Sequence, residues 1–244
     1  MTKDAKEKSG TDSARRRARG APVVEAVYNR LHSDILCGNL EPDSRLPLDG
    51  ISRDYGVGVN SLREALTRLT AEGLVVTGKQ RGFVVEPVSI ADLRDITEIR
   101  QFLECKALEQ AIEAGDLDWE GRLVAAYHKL SKAEKKLDDD PQAYGLLWEE
   151  RNREFHHELI SACPSRWLLH FQGIMYRQSQ RYRMLSLIPN TIPRDVSHRE
   201  HQAILEATLE RDAKKAARLL REHIVKFAVD PTDDPSSGRP SGDS

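Results

Sequence analysis

Leu48-Asp49-Gly50-Ile51-Ser52-Arg53-Asp54-Tyr55-Gly56-Val57-Gly58-Val59-Asn60-Ser61-Leu62-Arg63-Glu64-Ala65-Leu66-Thr67-Arg68-Leu69, within the span 43–87, decides the fold. It reads as a short helix over Leu48–Tyr55, a tight glycine turn, and a second helix running to a stop at Gly73. Ser61-x-x-Glu64 has the form of a capping box, in which the hydroxyl accepts an orphan amide and the carboxylate bonds back. Leu74-Val75-Val76-Thr77 and Phe83-Val84-Val85 flank the Gly-rich run Gly78-Lys79-Gln80-Arg81-Gly82, so they are expected to pair as a hairpin. A helix that opens on polar and basic groups, beside a basic hairpin tip, is the arrangement a winged helix-turn-helix needs to read duplex DNA.

Working outward, Val24, Val27, Leu31 and Ile35 recur at helical spacing before Gly38, which predicts a preceding helix. Residues 1–21 are polar and Arg-rich without apolar periodicity, and 230–244 are rich in Asp, Pro, Ser and Gly. Both are expected to be disordered, the first as a basic arm. The DNA-binding domain is thus expected over 22–87.

Beyond Pro87 only helical patterns occur. Ser89-x-x-Asp92 caps a helix whose stripe is Leu93, Ile96, Ile99, Leu103, Ala107 and Ala111. Further helices are expected near 119–138, 141–162, 165–188, 195–210 and 212–228, with breaks at Gly115-Asp116, Asp140-Pro141, Cys163-Pro164, Pro189 to Pro193, and Asp212. The fold class is mostly α: an N-terminal winged helix-turn-helix with a small β wing, and a C-terminal all-α bundle over 89–229.

The chain has 244 residues, 31% of them charged, with a formal net charge of -2. That total hides an asymmetry. Arg15, Arg16, Arg17, Arg19, Arg63, Arg68, Lys79 and Arg81 crowd the first third, while acidic runs such as Asp138-Asp139-Asp140 come later. A basic head on a near-neutral body fits nucleic-acid binding by one domain. Cys37, Cys105 and Cys163 are scattered, which suggests neither a disulfide framework nor a CxxC metal knuckle. No apolar run approaches the roughly 20 residues of a membrane span, and the N-terminus lacks an apolar export core, so a cytoplasmic protein is expected.

Several runs, in order, resemble the GntR family of bacterial transcription regulators: Ile35-Leu36-Cys37-Gly38-Asn39-Leu40-Glu41-Pro42, Leu62-Arg63-Glu64-Ala65-Leu66-Thr67-Arg68-Leu69, Glu72-Gly73-Leu74-Val75 and Arg81-Gly82-Phe83-Val84-Val85. The second domain resembles the FadR-type effector domain called FCD, through Ile99-Arg100-x-x-Leu103-Glu104, Asn152-x-x-Phe155-His156, Glu200-His201-x-x-Ile204 and Glu222-His223-Ile224. Within the family, Gln80-Arg81-Gly82-Phe83, Trp119-Glu120 and Arg181-Tyr182-Arg183 look most like the CsiR-like branch. Two departures stand out. The family usually has Pro-Gly where this chain has Pro42-Asp43, and an Arg that touches DNA where it has Val59.

On the recognition helix, Arg63 is placed to contact guanine O6 and N7 or to clamp a phosphate. Asn60 and Ser61 stand where the helix N-terminus favours phosphate. Lys79, Arg81 and Gly82 on the wing, and Arg45 before the second helix, are backbone candidates, whereas Arg68 reads as solvated or structural. One winged helix covers a half-site, so a homodimer on a pseudo-palindromic operator is expected.

In the bundle, Asn152 and His156 share a helix face. The FCD resemblance implies that they join His201 and His223 around one divalent metal, zinc or nickel, with a position open to an exogenous ligand. Family members more often carry Asp where this chain has Asn152, and an amide oxygen is a weaker ligand. His32, His128, His157, His170 and His198 match nothing and read as structural or solvated. Arg100 interrupts its apolar stripe and can bind a small carboxylate effector or pair with Glu104 at i+4, and Arg183 is a second effector candidate. The function expected is a non-enzymatic regulator, repressor or activator, controlled by a small organic acid at a metal. The alternatives are a regulator for which the metal itself is the signal, and a His-ligated metalloenzyme, for which no nucleophile motif or H-E-x-x-H is present.

Overall fold

The computed structural model describes residues 22–78, 82–187 and 194–226, and the chain divides into two compact units that meet between Pro87 and Val88. The Arg-rich arm, Lys79 and Arg81 of the wing, the Pro189 to Pro193 break and the C-terminal tail lie outside the described residues.

The N-terminal unit is built on three helices, α1 (22–36), α2 (Leu48–Tyr55) and α3 (Val59–Ala71), and three short strands, β1 (Arg45–Leu46), β2 (Val75–Thr77) and β3 (Phe83–Val85). Leu31, Leu62, Leu66 and Leu69 are fully buried, each contributing about 1.5–3 kcal/mol by leaving water. Gly38, Gly56 and Gly73 follow α1, α2 and α3 with positive φ, the left-handed conformation that ends a helix without a Cβ clash. The Ser52 hydroxyl donates to the Val57 carbonyl at 2.5 Å and ties down the turn between α2 and α3. Side chains then staple α1 to its neighbours: Tyr28 donates to Glu72 at 2.7 Å, and Arg68 bonds Glu25 at 2.7 Å while lying over the Tyr28 ring.

The hairpin forms as expected, with Val75 opposite Val85 and Thr77 opposite Phe83. A third strand was not anticipated. Arg45 and Leu46 pair antiparallel with Val84 and Phe83, giving the order β1-β3-β2. The capping box at Ser61 does not form. Helix α3 begins two residues earlier, at Val59, with Gly58 at its N-cap and no side-chain cap bond. The left-handed Gly56 and the extended Gly58 complete the turn before Ser61 is reached, so Ser61 lies inside the first helical turn.

The C-terminal unit is a bundle of α4 (Ile90–Ala114), α5 (Leu117–Asp139), α6 (Pro141–Ile160), α7 (Arg166–Leu187), α8 (Arg194–Leu209) and α9 (Ala213–Lys226). Side-chain caps start five of them: Ser89 accepts from the Asp92 amide, Asp116 from Trp119, Asp140 from Ala143, Ser165 from Leu168 and Asp212 from Lys215. Helix α4 packs on α7 and α9, α5 on α6 and α8, and α8 on α9. Trp119, Leu123, Phe155, Leu159, Ile204 and Leu220 belong to the core between them. The stripe expected on α4 is corrected at one place. Ile99 is 40% exposed, while Arg100 and Glu104 turn inward. The helix meets neighbours on three sides, so its buried arc is wider than one apolar stripe and takes in an ion pair.

Among the described residues no helix is long and apolar enough to cross a membrane. Cys37, Cys105 and Cys163 are free thiols.

Candidate nucleic-acid interface and candidate metal centre

Helix α3 divides into two faces. Leu62, Ala65, Leu66 and Leu69 bury themselves, which leaves Asn60, Arg63, Glu64 and Thr67 exposed. Asn60, Ser61 and Arg63 therefore sit on the first turns of the recognition helix, with Ser61 half-buried, and among them Arg63 carries a positive charge to solvent. Val59, in the position of the family's usual Arg, is half-buried and opens the helix. Arg45 is exposed on the outer strand β1. The Gly78 amide donates to the Gly82 carbonyl at 2.8 Å and closes the base of the wing.

In the bundle, three helices bring the second constellation together. Asn152 and His156 come from α6, His201 from α8 and His223 from α9. One nitrogen of each imidazole lies within 4.8 Å of those of the other two, and all three rings are 2% exposed or less. Each ring faces a carboxylate through Nδ1. Glu134 of α5 is 2.8 Å from His201, Glu200 of α8 is 2.9 Å from His223, and Glu104 of α4 is 3.4 Å from His156. An imidazole that donates Nδ1–H to a carboxylate holds Nε2 bare and more basic, the preparation a metal-binding histidine needs.

Burial, together with the neighbouring histidines, holds His223 well below its usual pKa, and burial lowers His156 to about 4 against the pull of Glu104. Both rings are accordingly neutral near pH 7, as ligation requires. Burial alone would raise the Glu104 carboxyl, but Arg100 and His156 outweigh it and bring it to about 2.

Three buried atoms here have no hydrogen-bond partner: His201 Nε2, Asn152 Oδ1 and His156 Nδ1, whose 3.4 Å approach to Glu104 is an ion-pair contact rather than a hydrogen bond. The Asn152 amide is oriented by Tyr176, whose hydroxyl accepts from Nδ2 at 2.8 Å. Unpartnered buried acceptors cost about 1–3 kcal/mol each, and a cation bound by His201 Nε2 and Asn152 Oδ1 would remove that cost for those two. The donor set, three imidazoles and an amide oxygen, fits a borderline divalent ion.

The two arginines expected to meet an effector are already engaged. Arg100 donates through Nε to Glu104 at 2.7 Å, and Arg183 forks onto Glu149 at 3.1 and 2.5 Å and also donates to Ser179. Both lie over Tyr176. His198, read as structural or solvated, shares Glu134 with His201. Glu134 and Tyr176 escaped sequence reading because they lie on α5 and α7, 67 and 24 residues along the chain from the His201 and Asn152 they serve. Glu200 had a signal in its position next to His201.

Comparison with known proteins agrees with this architecture. Residues 23–85 match the family described as bacterial regulatory proteins, gntR family, and residues 95–226 match the FCD domain. The chain is 44% identical over 202 residues to the uncharacterized HTH-type transcriptional regulator BphR of Paraburkholderia xenovorans (strain LB400), covering 83% of this chain and 82% of that protein. It is 33% identical to the HTH-type transcriptional repressor GlaR of Escherichia coli (strain K12), covering 81% of this chain and 90% of the repressor. The solved structure of E. coli McbR/YncC superposes with a TM-score of 0.64 at 21% identity, covering 83% of this chain and 93% of that one. At that identity the likeness concerns the fold.

Proposed function

The chain belongs to the gntR family of bacterial regulatory proteins and carries an FCD domain, so it is a DNA-binding transcriptional regulator and not an enzyme; from that premise we propose that its operator affinity is set by a small carboxylate held at a divalent metal inside the bundle. The observation that carries this reading is the buried triad of His156, His201 and His223, each ring backed by a carboxylate, with His201 Nε2 and Asn152 Oδ1 unpartnered.

Asn152, His156, His201 and His223 are the ligands in this proposal, and zinc or nickel suits them. The metal supplies a Lewis-acidic point that a carboxylate can complete. Arg100 is linked to His156 through Glu104, and its guanidinium is the charge near the centre to which a carboxylate would be drawn. Arg183, fixed on Glu149, adds a second positive charge over Tyr176. At the other unit, Asn60, Ser61 and Arg63 enter the major groove, and Arg45, Lys79, Arg81 and Gly82 contact backbone. Two chains bind a pseudo-palindrome as a homodimer, and the resemblance to a repressor favours repression. The effector changes DNA affinity by binding one dimer arrangement better than the other, and a tenfold change needs about 1.4 kcal/mol of coupling.

One observation favours a second reading, in which the metal alone is the signal: both arginines already have carboxylate partners inside the protein. Titrating operator DNA with metal-loaded and chelated protein, across a panel of mono- and dicarboxylic acids, separates the two. Acid-dependent release supports the first reading. Release by chelator alone, with no acid effective, supports the second. Operator affinity indifferent to both removes the metal from the function.

A further inference from the structure

The three imidazoles are sealed from solvent, so an ion needs a way in. Their outer carboxylates are not equally sealed: the side chains of Glu104, Glu134 and Glu200 are 1%, 10% and 20% exposed. Beside Glu200 a groove of about 230 Å³ opens between α8 and α9, with Arg199, Glu200 and Ala203 on one wall and Leu219, Glu222 and His223 on the other. His223 is thus both a member of the triad and part of this groove. Glu222 is paired outward with Arg218 at 3.0 Å. The Glu200 carboxylate faces both ways. Its Oε2 meets His223 Nδ1 at 2.9 Å, and its Oε1 bonds the Lys226 ammonium, whose side chain is 47% exposed.

We propose that Glu200 is the port through which a divalent cation reaches the buried histidines, and that Lys226 is the latch on that port. This rests on the metal reading above. The physical argument is one of competition. A cation arriving in the groove finds the Glu200 carboxylate more exposed than the His223 imidazole beside it, and Lys226 holds one of its two oxygens. Displacing an exposed ammonium from a partly exposed carboxylate is easy, because a surface ion pair is weakened by solvent screening and by the entropy of the long side chain. Glu134 and Glu104 cannot serve in this way, being buried behind their rings. They orient His201 and His156 and hold an ion once it has arrived.

The test is the kinetics of cobalt(II) uptake by the full-length, metal-free protein, followed through the visible absorption of the bound ion, with release into excess chelator measured in parallel. Lys226→Met should speed both uptake and release about fivefold, changing the affinity far less than either rate. Glu200→Gln should slow uptake. Glu134→Gln should speed release and leave uptake near the wild-type rate. If Lys226→Met changes neither rate, or if Glu134→Gln slows uptake as much as Glu200→Gln, the port is wrong while the metal site stands. If the wild-type protein takes up no stoichiometric cobalt, the metal reading itself fails and the port goes with it.

Discussion

Arg100 and Glu104, one helical turn apart on α4, form an ion pair at 2.7 Å with side chains 5% and 1% exposed, and the second oxygen of Glu104 stands 3.4 Å from His156 Nδ1. The pair therefore joins the arginine considered for effector binding to a histidine of the candidate metal centre. Its energetics follow from burial: removing one partner strands a charge, whereas removing both need not.

Arg100→Ala should destabilise the protein by about 3–5 kcal/mol. Replacing both residues, as Arg100→Met with Glu104→Met, should recover most of that loss. Chemical denaturation of the two single variants and the double variant measures the coupling. If Arg100→Ala unfolds like wild type, the buried pair contributes nothing to the fold.

For the metal, His156→Ala, His201→Ala and His223→Ala should each lower bound zinc or nickel sharply, whereas His128→Ala should not. Asn152→Asp should tighten binding, because a carboxylate replaces a neutral amide oxygen. Metal content after dialysis, read by elemental analysis, decides this. A triple-histidine variant that retains its metal would remove the site.

At the DNA interface, Arg63 is exposed on α3. Arg63→Ala should weaken operator binding by about 1–3 kcal/mol if it reads a base, and leave folding unchanged. Arg45→Ala should weaken binding to all sequences alike and flatten the salt dependence. Equal operator affinity for Arg63→Ala and wild type would contradict the first assignment.

Asp43 has φ 63, in the left-handed region, at the position where the family usually has Gly, and its amide donates to the Val85 carbonyl at 3.1 Å. Asp tolerates this conformation better than most residues, but Gly adopts it without steric cost. Asp43→Gly should stabilise the N-terminal unit by about 0.5–1 kcal/mol, and Asp43→Val should destabilise it. Hydrogen exchange at the Val85 amide, which donates to Ser44, reports both changes. Faster exchange in Asp43→Gly would show that the Asp side chain contributes something glycine lacks.

Sedimentation should find a dimer, both free and on an operator whose half-sites lie about one helical turn apart or a multiple of that. A monomer in both states refutes the two-fold arrangement.

Much of this was legible in the sequence because it is local. Apolar spacing and glycine stops placed α2 at Leu48–Tyr55, and the β-rich runs around Gly78 and Gly82 placed the hairpin. Local chemistry also had its failure. Ser61 and Glu64 have capping-box spacing, yet Gly56 and Gly58 close the turn first and start α3 at Val59.

What only the tertiary structure decided is what long-range packing decides. Arg45 and Leu46 become a strand because β3 offers a free edge. Arg100 turns inward and Ile99 outward because α4 is enclosed on three sides. Glu134, Tyr176 and Glu200 become the supports of His201, Asn152 and His223 through contacts up to 67 residues apart. The sequence by itself determined which residues carry chemistry, since residue type and helical period are local properties. Which carboxylate meets which imidazole was set by the way six helices close around one core.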